Sequence, residues 1–400
     1  MRNKDYVWLA LIQGGNALLP LVLFPFLYNM VASDIFSEVV LAEVVAYYVL
    51  AIALYGFDIT GVNRWHSSES KKRVLTSILY ARLSLYCIAS IFCLVMTYLF
   101  FSANFNVVAV WLLFPLGMIL QGNYAFQAEG DSRALALIVL ISRLLVTVVC
   151  FILIDKESSA LLISGIISVG YLISGCISLF VQIHKFGGFD TLSCKNIYSM
   201  IKDDFHVFVG NASVTLFRNA NVAILGLIAT PKLIAAYATA EKIVRSAQAI
   251  IRPLNQYFQT LLVKRYYSDD KKINVSIVWD YTRLQLLIVF LMAIIVLGIC
   301  TFVNLSSKYQ IVAELISVMV FSCCFGVLNF MYGSVGLVLG GYKRFFAKSV
   351  LSVGILNLVM VPAFYFVGSN NGVSAAFVLA EFMLFTFTFC KYKMIEKSHG

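Results

Sequence analysis

Long apolar runs recur along the chain, and they leave it few folds. Polar punctuation separates twelve of them, at 6–30, 38–58, 75–101, 107–126, 134–154, 159–182, 205–229, 233–260, 282–304, 311–340, 346–367 and 372–390. An α-helix needs roughly 20 apolar residues to cross the hydrocarbon core. The expected fold class is therefore an all-α membrane protein of about 12 transmembrane helices. Composition agrees: 61% of residues are apolar and 12% charged, where a soluble domain has roughly half and a quarter. Tyr6–Met30 is too long for a signal-peptide core and no small-residue cleavage site follows it, so it reads as a retained first helix. The nine cysteines are scattered, mostly in apolar runs and without a CxxC pair, as small buried hydrophobes would be.

Orientation follows from lysine and arginine. With the N-terminus in the cytoplasm, alternate connections carry 21 basic residues on the inside and only Lys156, Lys232 and Lys308 outside. Both termini are then cytoplasmic. The net charge of +10 is chiefly a topology signal, and no nucleic-acid partner is expected. The chain also halves near residue 204. Gly15-Asn16 followed by Ala42-Glu43 has a counterpart in Gly210-Asn211 followed by Ala240-Glu241. This predicts two six-helix bundles, 1–203 and 204–400, around a central cavity.

Six cations fall inside the spans: Arg82, Arg143, Arg218, Lys242, Arg245 and Arg252. Each would cost roughly 2.5–3.5 kcal/mol at the centre of a lipid-facing helix, so they snorkel, pair with acids or line water. The eighth span places Glu241, Arg245, Gln248, Arg252, Asn255, Gln256 and Gln259 on one face, a polar stripe with Pro253 as a kink point. A packing face with Glu241 and Arg245 paired at i,i+4 is the simpler account of part of it. At and along the seventh span, Asp204 just before it and Asn211, Thr215 and Arg218 within it share a side. For Arg82 and Arg143, snorkelling to the surface is an open alternative. A surplus of cations, mostly arginine, suits a phosphate or carboxylate guest. Glu381 has no basic neighbour at helical spacing, so an ion-coupling role and a protonated packing acid both stay open. Asp58 closes the second span. No Walker-type phosphate loop, metal-ligand cluster or nucleophile–base arrangement is present. Catalysis, metals and cofactors are not expected.

Leu54–Arg64 (LYGFDITGVNR) resembles the "YGF…R" stretch of bacterial O-antigen and polysaccharide repeat-unit flippases, the Wzx type. Gln121-Gly122 with Ile141-Ser142-Arg143 is similar to their "QG…SR" region, and Ala238–Leu254 to their eighth helix. The resemblance runs along essentially the whole chain. It implies the fold of the multidrug/oligosaccharidyl-lipid/polysaccharide exporter superfamily, in the bacterial inner membrane. It implies transfer of an undecaprenyl-pyrophosphate-linked oligosaccharide between leaflets, with a glycan polymerase, a chain-length regulator and membrane lipids as partners. Arg218, Arg245 and Arg252 would hold the headgroup, supported by Lys242, Arg143, Arg82, Glu241 and Asn211. Asp58, Arg64 and Glu381 are the gating or ion-coupling candidates. Gln13 and Asn16 stand in the first helix where some relatives carry a basic residue. A multidrug-type antiporter and a membrane glycan polymerase are the alternatives; the first would want an acidic cavity, the second a large outer loop.

Overall fold

A computed structural model describes residues 20–68, 70–100, 104–191, 194–268, 275–302 and 307–399. Gln13, Asn16 and the first part of the expected first span lie outside them. The described residues are helical, with no strand among them. That is how backbone is satisfied in lipid, where no water can take its hydrogen bonds.

In chain order the helices are α1 (Pro20–Met30), α2 (Ser33–Leu54), α3 (Phe57–Ser67), α4 (Lys71–Phe100), α5 (Phe105–Trp111), α6 (Leu113–Leu120), α7 (Asn123–Glu129), α8 (Ser132–Leu153), α9 (Ala160–Phe186) and α10 (Cys194–Asp203). They continue with α11 (Phe205–Ile228), α12 (Pro231–Ser268), α13 (Val275–Phe302), α14 (Ser307–Met319), α15 (Ser322–Leu328), a π-helical stretch (Asn329–Leu337) and α16 (Lys343–His399). Taken through their short breaks, eight segments are long and apolar enough to span a membrane: Ser33–Ser67, Lys71–Phe100, Phe105–Glu129, Arg133–Leu153, Ala160–Phe186, Ile277–Thr301, Ser307–Leu337 and Lys343–Ile395. The last holds two expected spans, divided at Ser369, whose φ of 48° departs from helical geometry. α11 and α12 are long but outside that set. They are the helices on which the sequence places its polar faces.

The chain divides into two compact units, Met1–Asn219 and Ala220–Gly400. The divide falls within α11, and Asp204, just before that helix, is bound to α3, as shown below. In unit 1, α4 exposes Ile88, Ile91, Phe92, Val95 and Leu99. In unit 2, α13 exposes Leu284, Leu287, Phe290, Leu291 and Ile295. In water such faces would drive aggregation; on a spanning helix they are the lipid contact.

Breaks within spans are closed by polar side chains. α6 and α7 are interrupted at Gln121-Gly122, where Gly122 takes φ +57°. The freed carbonyls are recovered from α9: Ser178 Oγ donates to Gln121 O at 2.7 Å, and Gln182 Nε2 donates to Leu120 O and Gln121 O at 3.0 Å each. Gln121 Nε2 in turn donates to Ser174 Oγ at 3.0 Å. A little further along the same pair, Gly117 and Gly175 let the backbones of α6 and α9 meet. A Cβ at Gly117 would collide with the Tyr171 carbonyl, and one at Gly175 with the Gly117 carbonyl. Small residues at a helix crossing are the usual means of association in lipid.

Candidate functional site

The expected end of the second span is instead a joint. Tyr55 (φ 52°) and Gly56 (φ +99°) adopt left-handed geometry, and the chain resumes as α3 through Ser67. Glycine relieves the strain at the second of these positions. It also leaves room, because a Cβ at Gly56 would press on Val207 and approach Asn211 Nδ2 to 3.3 Å. Beside the joint the Tyr55 ring stacks on Phe208, centroids 4.4 Å apart and planes 6° from parallel.

α3 carries Asp58, Thr60 and Arg64. Arg64 makes a two-pronged ion pair with Asp204, Nη1 to Oδ2 at 2.5 Å and Nη2 to Oδ1 at 3.0 Å. Thr60, one turn earlier, donates to the same carboxylate at 2.7 Å. The Asp204 side chain is only 6% exposed, so the fork that matches a carboxylate atom for atom keeps a buried acid satisfied. Asp58 faces α4, where Arg82 Nη2 donates to its Oδ1 at 2.8 Å. Arg82 is 1% exposed, with its guanidinium 5.2 Å from the Tyr124 ring. Arg143 on α8 is also 1% exposed and lies 3.3 Å from the centroid of Tyr171, with Tyr47 as a further electrostatic neighbour. Both arginines are thus enclosed within unit 1, and neither reaches out to a surface. Asn211 is half-buried on α11, its carbonyl accepting from Thr215 Oγ1 at 3.1 Å; Arg218 on the same helix is exposed.

In unit 2, Arg245 Nε donates to Glu241 Oε1 at 2.7 Å, and its Nη2 lies 2.6 Å from the same oxygen. This is the i,i+4 pair that the spacing allowed. The guanidinium sits 5.3 Å from the Phe377 ring and has Glu381 as an electrostatic neighbour. Glu381 is buried and accepts from Asn329 Nδ2 at 2.7 Å, while the same amide also donates to the Glu381 carbonyl at 3.0 Å. Asn329 opens the π-helical stretch, a geometry that recurs at functional positions. Further along the stripe, Gln248 reaches Ser322 at 3.5 Å and Asn255 is buried. Lys242 is half-buried. The side chains of Arg252, Pro253 and Gln256 lie outside the described residues.

The structure therefore gathers Glu241, Arg245 and Glu381 in unit 2, and separately Asp58 with Arg82 and Arg64 with Asp204 in unit 1. Sequence reasoning did not single out Asn329, nor Tyr171 under Arg143. It also missed a buried chain in which Asn357 Nδ2 donates to Asn221 Oδ1 and Asn221 Nδ2 donates to the Tyr237 hydroxyl at 2.7 Å. An asparagine inside an apolar run was the available signal, since an amide in lipid must find a partner. Among the described residues, no three His, Cys, Asp or Glu side chains gather as a metal site.

The family model described as "Polysaccharide biosynthesis protein" matches residues 3–262, well over half the chain. The chain belongs to the polysaccharide biosynthesis protein family. Within reach of this family, it is 27% identical over 371 residues to a protein of Escherichia coli (strain K12) named "Putative O-antigen transporter", covering 90% of this chain and 89% of that one. A Shigella dysenteriae protein of the same name is 22% identical over 263 residues, covering 64% of this chain and 65% of that one. Among solved structures, the lipid II flippase MurJ in an inward closed conformation aligns at TM-score 0.66 and 13% identity, over 93% of this chain and 87% of that one. A eukaryotic MATE transporter aligns at TM-score 0.66 and 15% identity, over 96% and 94%. These two establish the fold, which is like that of MATE transporters and MurJ, and the long apolar helices make the chain a multi-pass helical membrane protein.

Proposed function

We propose that the protein is a flippase that carries undecaprenyl-pyrophosphate-linked O-antigen or polysaccharide repeat units across the bacterial inner membrane by alternating access, with both termini cytoplasmic. The observation that carries this reading is the charge on α11 and α12. Arg218, Lys242, Arg245 and Arg252 stand there within the helices against the single acid Glu241. Cations in that surplus favour an anionic guest over the cationic drugs of a multidrug antiporter, and guanidinium groups suit a pyrophosphate. The E. coli relative named for O-antigen transport supports the glycan part of the substrate.

Arg218, Arg245 and Arg252 are the headgroup ligands, with Lys242, Glu241 and Asn211 beside them along the same helices. Arg82 and Arg143 would join them only on opening of the contacts that enclose them. Asp58 and Arg64 are gating residues through their ion pairs, and Glu381 is the coupling acid. The repeat unit moves without covalent change, and a polymerase and a chain-length regulator act on it afterwards.

The test is genetic and chemical together. A strain lacking the protein is expected to hold complete glycolipid on the cytoplasmic leaflet, and Arg218→Ala, Arg245→Ala and Arg252→Ala are each expected to lower surface glycan. Intact surface glycan with all three single variants would sink the headgroup assignment. Export of single, unpolymerised units by the deletion strain would point to a polymerase instead.

A further inference from the structure

Unit 1 contains a cavity of about 410 Å³ formed by the end of α3, the start of α4 and α10. Arg64, Ser67 and Ser68 line it from α3 and the residue after it, Arg73 and Ser77 from α4, and Ser199 and Asp203 from α10. Val74, Ile78 and Met200, all buried, complete the lining. Its size lies in the range of small-molecule sites. The connections around it, 63–73 and 184–203, are among those that the basic residues assign to the cytoplasm.

The lining chooses among ligands by charge. Its two guanidinium groups are already engaged: Arg64 is held by Asp204, and Arg73 Nε lies 3.7 Å from Asp190. With Asp203 also on the wall, the described cations are more than balanced. Among the lining side chains no surplus cation is left for a free anion. The wall offers the lone pairs of four hydroxyls, three of which donate within the protein (Ser67 to Arg64 O, Ser68 to Ser70 O and Ser199 to Asp203 Oδ2). It adds the remaining acceptor sites of Asp203 and guanidinium hydrogens that donate, beside an apolar patch of Val74, Ile78 and Met200. A sugar ring has the matching character, with hydroxyls around its edge and C–H groups on its face. The Arg64 fork is fixed by two bonds to Asp204 and backed by Thr60. The wall is therefore ordered before anything binds, which lowers the cost of binding.

We propose that this cavity is a saccharide subsite that receives the glycan portion of the lipid-linked substrate on the cytoplasmic side. It rests on the flippase reading and adds a second point of contact to it. Bulk introduced from two different helices tests it. Ser77→Phe fills the cavity from α4, and Ser199→Trp covers it from the exposed side of α10, where folding tolerates change.

The probe is the free oligosaccharide released by mild acid from the strain's own lipid-linked repeat unit and stripped of phosphate. Saturation-transfer NMR on the purified full chain should detect its binding. Both variants should weaken it about tenfold, a change worth about 1.4 kcal/mol, and inorganic phosphate should not compete. In cells both variants should lower surface glycan. Absence of sugar binding, binding unchanged in both variants, displacement by phosphate, or lost binding with normal surface glycan would each overturn the proposal. Wild-type protein that restores surface glycan yet ignores the sugar removes the subsite and leaves the flippase standing. Wild-type protein that fails to relieve trapped glycolipid removes both.

Discussion

The two units hold their buried polar groups by different chemistry. In unit 1 the described ion pairs tie together remote parts of the chain: Asp58 and Arg82 are 24 residues apart, Arg64 and Asp204 140. In unit 2 the ion pair Glu241–Arg245 stays within one helical turn. Among the described residues of that unit, amides join remote parts, Asn329 to Glu381 across 52 residues and Asn357 to Asn221 across 136. A charge sealed inside a bundle is costly to strand, whereas a local pair on one helix face can loosen without dismantling its surroundings. Unit 1 thus holds its cations through partners remote in the chain, whereas unit 2 holds Arg245 through a partner on the same helix.

The largest expected effect contrasts the two pairs directly. Asp58→Ala leaves the Arg82 guanidinium, 1% exposed, without its acid, and removal of one member of such a pair costs about 3–5 kcal/mol. The apparent melting midpoint of the purified protein should fall sharply, and Asp58→Ala with Arg82→Met should recover most of the loss. Glu241→Ala should lower the midpoint less, because the Arg245 side chain keeps 23% exposure. Equal losses from the two variants would erase the distinction between the units.

A smaller effect is expected from Asn329→Ala. It removes both amide bonds to Glu381, and loss of a hydrogen bond to a buried charged group costs about 1.5–3 kcal/mol. If surface glycan is also lost while the midpoint moves only by that amount, the amide serves the working state and not just the fold.

The smallest effect lies at the rim of unit 1. The Asp190 carboxyl is held below its ordinary range, first by the Thr191 backbone N–H and also by the neighbouring Arg73. A depressed carboxylate contributes stability above its unfolded pKa of about 3.9, and that contribution is lost as pH falls through the folded value. The midpoint of Asp190→Asn should therefore lie slightly below wild type at neutral pH and converge with it under acid. A gap that persisted at low pH would show that the contact is not electrostatic.

Much of the fold is legible in the residues because lipid enforces a simple rule on apolar length. The polar stripe of α12 was visible for the same reason: at 3.6 residues per turn, Glu241, Arg245 and Gln248 must share a face. The local Glu241–Arg245 pair followed from that spacing. The partners of Arg64 and Arg143 did not, since nothing near position 64 or 143 announces Asp204 or Tyr171; only folding brings them within reach. The joint at Tyr55-Gly56 was hidden by the continuous apolar character around it. Left-handed backbone leaves one glycine as its mark, and a glycine in a membrane helix has several other uses.

The crossing of α6 and α9 has a consequence for evolution as well as for packing. Gly117 abuts the carbonyl of Tyr171, and it is the ring of Tyr171 that lies against Arg143. A single methyl group at position 117 would shift that backbone and with it the ring. The permissible alphabet at a residue with no charge and no hydrogen-bonding side chain is thus dictated by a cation on a third helix, and drift at one position is answerable to electrostatics at another.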